Sequence, residues 1–239
     1  MEPRTYRHWV ESHELTTFLV SVKETDLYIR ATSNLSRRAE RLVQKYREML
    51  ERYIAHNSAF LISLEPLPED DKAPLIAQNM MQAGVKAGVG PMAAVAGAMA
   101  EYIGAELLKY SPELIIENGG DIFLASAITR EIAIYAGDSP LTGKIGLEID
   151  PADTPLGICT SSGTVGHSLS FGKADAVVIV AKSATLADAV ATAAANLVKT
   201  PEDIQPALDF AASVSGIRGA IIVMGQHAGF WGDIKIKRT

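Results

Sequence analysis

The run of small side chains between Pro91 and Ala105 limits the possible folds more than any other part of this sequence. It holds Ala93, Ala94, Ala96, Gly97, Ala98, Ala100, Gly104 and Ala105. Proline is favoured in the first helical turn, so the run predicts a helix over 91–110. A helix surfaced with methyl groups and bare glycine backbone lets another backbone approach very closely. Such a helix belongs in the middle of a molecule. It is not a membrane span, because the apolar window 85–103 is broken by Gly88, Gly90, Pro91, Gly97 and Glu101 and is rich in weakly apolar Ala and Gly.

The rest of the composition agrees with a packed interior. The chain has 239 residues, of which 48% are hydrophobic and 21% charged, enough to bury one sizeable core and too apolar for disorder. Lys and Arg number 22 against 28 Asp and Glu, a formal net charge of −6 that offers no attraction to nucleic acid. Cys159 is the one cysteine, which excludes an intrachain disulfide and a Cys-rich zinc site. The first fifteen residues contain no apolar run of signal-peptide length, so a cytoplasmic setting is expected. No membrane or nucleic-acid partner is expected, while a homo-oligomer remains open.

Along the chain, β-rich runs at 15–22 and 27–31 flank the charged turn Lys23-Glu24-Thr25-Asp26 and read as a hairpin. Ser33 or Asn34 then caps a helix whose apolar residues Leu35, Ala39, Leu42, Val43, Tyr46, Met49, Leu50, Tyr53 and Ile54 recur at helical spacing. The proline- and acid-rich segment 64–74 is the most linker-like, so a sub-boundary is expected there within a single domain spanning 1–239. A helix over 74–83 leads to a glycine-spaced loop, 84–90, before the small-residue helix. From Leu114 the pattern changes to short strands at 114–117, 121–124, 131–135, 143–148, 156–160 and 174–181. Two helices follow, over 183–198 and 200–214, the second opening with Thr200-Pro201-Glu202-Asp203. A strand at 220–224, a turn at 225–229 and an edge strand alternating Ile234 and Ile236 with Lys235 and Lys237 close the chain. Strands and helices mix without a βαβ rhythm, which predicts an α+β fold of layered sheet and helices.

Three segments carry chemistry. Glu117-Asn118-Gly119-Gly120-Asp121 joins two strands, and its paired glycines allow positive φ and close approach of backbone amides to a ligand. Asn-Gly is also the commonest hairpin signal, and by spacing alone an ordinary turn is the stronger reading. The segment from Gly157 to Asp175 enters a run of hydroxyls and glycines, Thr160-Ser161-Ser162-Gly163, followed by His167. Dense in donors, it reads as a ligand-contact loop, with a surface hairpin as the alternative. Asp188 and Thr192 stand four apart on one helix, so their oxygens share a face that could hold a hard cation. Taken alone, helix-end charge complementarity and a back-bonded hydroxyl are the stronger reading of that pair.

Together and in this order, the three segments resemble the ApbE-type FAD:protein FMN transferases. That family carries an N-x-G-G-D turn, a T-S-G loop followed by histidine, and an A-D-x-x-x-T helix whose Asp and Thr bind magnesium. The matching residues are Asn118, Gly119, Gly120 and Asp121, with nothing between the Asn and the first Gly. Thr160, Ser161, Ser162 and Gly163 with His167 match the loop, and Ala187-Asp188 with Thr192 match the helix. The correspondence runs over about 85–236. It implies an ApbE-like layered fold, in which a two-half, T-fold-like arrangement is one form. It also implies FAD or a related nucleotide as ligand, Mg²⁺ on Asp188 and Thr192, nucleotide contacts from the turn and the loop, His167 as acid-base group, and a protein acceptor. Two departures stand out: His167 is followed by Ser-Leu-Ser-Phe-Gly-Lys-Ala with no Asp-Pro, and Gly90-Pro91-Met92-Ala93-Ala94 stands where the family's helix opens with Lys-Gly. The chain therefore reads as a cytoplasmic side branch.

The resemblance leaves three functions to weigh. One is a Mg²⁺-dependent flavin enzyme that cleaves the FAD pyrophosphate or transfers FMN, and the second is a flavin or nucleotide binder without turnover. The third takes Cys159 or a nearby serine as nucleophile with His167 as base, giving a hydrolase or acyltransferase. Cys159 ends an apolar strand, and no G-x-S-x-G elbow is present.

Overall fold

In the computed structural model, residues 14–164 and 171–238 are described. The strands are β1 (Thr16–Val22), β2 (Thr25–Ala31), β3 (Leu114–Asn118), β4 (Asp121–Ala125), β5 (Arg130–Ala133), β6 (Ile145–Ile149), β7 (Leu156–Ser161), β8 (Ala176–Ala181), β9 (Ile217–Met224), β10 (His227–Gly232) and β11 (Lys235–Arg238). The helices are α1 (Ser36–His56), the single turn α2 (Ala59–Ile62), α3 (Leu75–Ala87), α4 (Val95–Leu107), α5 (Ala184–Leu197) and α6 (Ile204–Ser213).

Eight strands form one antiparallel sheet in the order β1-β2-β3-β4-β7-β8-β9-β10. Neighbours in space are neighbours in the chain, except that β7 follows β4. The two strands skipped there join β11 in a smaller antiparallel sheet, ordered β11-β6-β5. The strand period of two divides the large sheet's side chains between two cores. On β8, Val177, Ile179 and Ala181 pack into the core under the helices. Ala176, Val178 and Val180 pack into a second core that also takes Ile132, Leu147 and Ile149 of the small sheet. The large sheet is thus the middle layer, with helices on one face and the small sheet on the other, and β8 reads as a continuous apolar run because both its faces are buried.

The small-residue helix lies where the sequence puts it. α4 runs along β3 and β4 and against α5, and Ala98, Ala100 and Ile103 are fully buried. Gly104 lies so close to Phe123 that a Cβ there would come within 2.2 Å of the ring. Pro91–Ala94 form a 3-10 turn leading into the α-helix, which ends at Leu107, earlier than the expected 110.

Other expectations shift. The helix expected over 74–83 continues through Gly84 to Ala87, and the expected glycine loop shrinks to a left-handed cap at Gly88, φ +73°. Gly84 is needed inside the helix because a Cβ would lie 2.6 Å from the Val89 carbonyl. The N-cap of α1 is Leu35, while the Asn34 side chain accepts the Ser36 amide at 2.9 Å. At the C-terminus, the turn expected at 225–229 is only two residues, since Met224 pairs with His227 and Gly225 takes φ +58°. The strand after it is β10, and the Lys-Ile alternation falls on β11 in the other sheet. In the 64–74 segment, Ala73 is buried and the Leu64 carbonyl accepts the Gly90 amide at 2.9 Å. Among the described residues no single helix is long and apolar enough to cross a membrane.

Candidate functional site

β3 and β4 are joined by Gly119 and Gly120, with Asn118 paired to Asp121. Both glycines have positive φ, +68° and +108°, the geometry of a tight hairpin. The hairpin reading is therefore correct in shape. The Gly120 amide is engaged internally, donating to Glu117 Oε1 at 2.8 Å. What the turn does for the site is place Asn118 and Asp121 on the helix side of the sheet. Asn118 Nδ2 donates to the Ala96 carbonyl on α4 at 3.0 Å, and Asp121 Oδ1 accepts the Thr160 amide at 3.2 Å.

β7 lies beside β4, with Ile122 opposite Ile158, so Cys159 follows on Asp121's side of the sheet. Its thiol reaches the Ala184 carbonyl at 3.3 Å and also meets the Asp121 carboxyl. Cys159 is fully buried, and that burial together with the carboxyls of Asp121 and Asp188 pushes its pKa well up. A fully buried thiol is out of a substrate's reach, whereas reactive cysteines are partly exposed, which argues against the cysteine version of the hydrolase reading. Two positions on, Ser161 Oγ is buried with no hydrogen-bond partner among the described residues.

α5 lies along β7. Gly157 meets it with no room to spare, since a Cβ there would come within 2.3 Å of Ala184 Cα. This contact brings Asp188 over the end of the β3–β4 hairpin, where its charge acts on Asp121. Asp188 Oδ2 accepts the Gly97 amide of α4 at 2.8 Å. Gly97 is the third residue of α4, one of the amides that a helix start leaves without an intrahelical acceptor, and α4 has no capping side chain of its own. Asp188 therefore caps α4 from another helix. Burial raises its pKa to about 7, against the lowering effect of the Gly97 and Ala96 amides. Asp121 is pushed up as well, first by burial and then by the charge of Asp188. No ion pair among the described residues reaches either carboxyl.

The turn, the end of β7 and Asp188 thus converge. Thr192 stands half-buried one helical turn beyond Asp188. Thr160 and Ser162 are half-buried and Gly163 is exposed, its amide donating to the Ala174 carbonyl at 2.9 Å. Gly163 and Gly172 pinch the two ends of the hydroxyl-rich loop together: a Cβ on Gly163 would lie 2.2 Å from the Gly172 carbonyl oxygen. His167 lies outside the described residues. Among the described residues no three His, Cys, Asp or Glu side chains form a metal cage.

A family model described as AbpE bacteria matches residues 7–229. The chain belongs to the AbpE family. Its curated relatives include UPF0280 proteins of Methanococcus aeolicus, 41% identical over 221 residues (90% of this chain and 89% of the relative), and of Methanococcus vannielii, 39% identical over 227 residues (92% of each). Among solved structures, this AbpE protein is similar to the flavinyl transferase ApbE of Pseudomonas stutzeri in its apo form, with TM-score 0.60 and 13% identity over 91% of this chain and 93% of that one. The apbe protein of Thermotoga maritima superimposes with TM-score 0.57 and 13% identity over 90% and 96%. The expected α+β ApbE-like fold is the fold of this AbpE chain.

Sequence reasoning missed one residue of the site, Glu101. Its Oε2 accepts Ser183 Oγ at 2.9 Å and both the amide and the hydroxyl of Thr185 at 2.8 Å. The signal was present in the sequence, since Glu101 is the lone charged residue between Pro91 and Ala105.

Proposed function

We propose that this AbpE protein handles FAD or a related nucleotide in the cleft between the β3–β4 hairpin, the end of β7 and the Asp188 face of α5. The observation that carries the reading is the buried pair Asp121 and Asp188, which lack a cationic partner among the described residues although burial disfavours the charge on both and Asp188 adds to it at Asp121. The donor set fits Mg²⁺: a carboxylate whose oxygens keep lone pairs beyond the Gly97 bond, and the Thr192 hydroxyl one turn on, with water and ligand oxygens completing the shell. When bound, the ion would neutralise charge on a pyrophosphate. Asn118, Gly119, Gly120 and Asp121 wall one side of the cleft. Thr160, Ser161, Ser162 and Gly163 form the other side, where the unpartnered Ser161 hydroxyl is available to a ligand and Thr160 contributes through its amide to Asp121. His167 is the acid-base residue of this reading.

Similarity to the flavinyl transferase of Pseudomonas stutzeri and the flavin transferase of Vibrio cholerae supports a flavin-related activity, which we read as FMN transfer to a protein acceptor. A second reading, a binder without turnover, is favoured by the absence of Asp-Pro after His167 and by the engagement of Asp188 with Gly97. Thermal unfolding tests the shared core of both. Mg²⁺ should raise the Tm more with FAD present than without, because ion and nucleotide then stabilise the folded state jointly, and Asp188→Ala should abolish the extra rise. An FAD shift indifferent to Mg²⁺ overturns the reading. Product analysis after incubation with FAD and Mg²⁺ separates turnover from binding.

A further inference from the structure

α4 and α5 run past each other in opposite directions and cap one another. Gly97 of α4 donates its amide to Asp188 of α5 at 2.8 Å, while Glu101, one turn along α4, accepts the Thr185 amide of α5 at 2.8 Å. Thr185 is the second residue of α5, so its amide, like that of Gly97, belongs to the open start of a helix. Glu101 also gathers the hydroxyls of Ser183 and Thr185 onto the same oxygen. Ser183 is the N-cap of α5 and accepts the Leu186 amide at 3.2 Å, so Glu101 fixes the cap as well as the first turn. The contact between the two bonds is bare backbone: a Cβ on Gly97 would lie 2.3 Å from the Ala184 carbonyl oxygen and 2.8 Å from Asp188 Cβ. Apart from the Asp188 Cβ, only backbone meets at the Gly97 crossing, so these two carboxylates set how far α5 slides along α4.

We propose that Glu101 is the positioning residue of the cation site: by clamping the start of α5 to α4 it sets where Asp188 and Thr192 stand, and hence how tightly the pair holds a divalent cation. This rests on the reading of Asp188 and Thr192 as cation ligands. It also places the ligand. Helix starts commonly take phosphate, but both helix starts at this crossing are already filled by carboxylates from the opposite helix, so a nucleotide phosphate is held through the cation and the loop hydroxyls instead.

Mn²⁺ binding to the whole chain, followed by electron paramagnetic resonance with ADP present, provides the test, with near-ultraviolet circular dichroism reporting the fold. Glu101→Ala should weaken Mn²⁺ by about tenfold or more, the scale seen when a residue orienting a metal ligand is lost. Glu101→Gln, which keeps an acceptor oxygen in place, should recover most of that affinity and stays folded if the alanine variant does not. A lowered Tm with unchanged Mn²⁺ affinity in both variants, while Asp188→Ala still loses binding, overturns the positioning role and leaves the site. Wild-type protein that binds no Mn²⁺, or Asp188→Ala that binds it normally, overturns the site and the positioning role together.

Discussion

Asp188 is surrounded by alanines, and its burial raises the carboxyl pKa from 3.8 to about 7. The folded chain therefore holds this proton more tightly than the unfolded chain does. The stabilisation from that proton is fully present below about pH 4 and is lost as pH rises through about 7. Chelator-treated protein should accordingly unfold at higher urea near pH 5.5 than near pH 8, by about the amount such linkage allows. Asp188→Asn keeps an oxygen for the Gly97 amide and should reduce that slope, leaving the part due to Asp121. An unchanged slope would show that Asp188 is not the group responsible. Gly97 makes a second residue-scale case. The backbone of α5 leaves its Cβ position no room, so Gly97→Ala must push α4 and α5 apart, an overpacking loss of about 1–3 kcal/mol by denaturant titration.

Individual elements explain how the small sheet is fastened to the large one. Arg130 opens β5 and is only 2% exposed, with its guanidinium paired to Glu113 at 2.9 Å and to Glu14 at 2.5 Å. Glu113 precedes β3 and also accepts Ser126 Oγ and the Ala127 amide, both at 2.7 Å. Burial works to raise the Glu113 pKa, but these bonds and the Arg130 charge outweigh it and hold it low. Glu113→Ala strands a buried guanidinium on a half-exposed partner, so a stability loss of about 3 kcal/mol is expected in urea. A loss near zero would mean that Glu14 alone suffices.

At this scale the sequence was readable wherever a local rule acted alone. The Gly119-Gly120 turn, the small-residue helix, the cap at Ser183 and the apolar run of β8 follow from glycine, proline, hydroxyl and strand-period rules. Gly84 was misread because its reason for being glycine lies across a turn at Val89, and β10 was missed because an alternating pattern does not say which sheet a strand will join. For the candidate site, composition singles out the hydroxyl loop, while the Asp188–Thr192 face stands out only through the family resemblance. Neither could show that Asp188 and Glu101 exchange caps, because that bond spans 91 residues of chain in one direction and 84 in the other.

For the whole molecule, three layers mean that protection from solvent should fall off from the centre of the large sheet. β4, β7 and β8 are covered by helices on one face and by the small sheet on the other, whereas β1 and β10 are outer strands with exposed residues. Native-state hydrogen exchange should show the slowest amides on β4, β7 and β8, and the fastest strand amides on β1 and β10. Slow exchange on β10 equal to that on β8 would contradict the layering. The join between β4 and β7 has a further consequence, for folding kinetics. Like the β2–β3 pairing across α1–α4 and the β8–β9 pairing across α5 and α6, it closes a long loop, here the one that carries β5 and β6, and it is the step that brings Asp121 to Thr160. A chain that has formed only its local hairpins still has no acceptor for the Gly97 amide, so, on the proposed function, nucleotide or metal binding should report these long-range closures and not the early collapse.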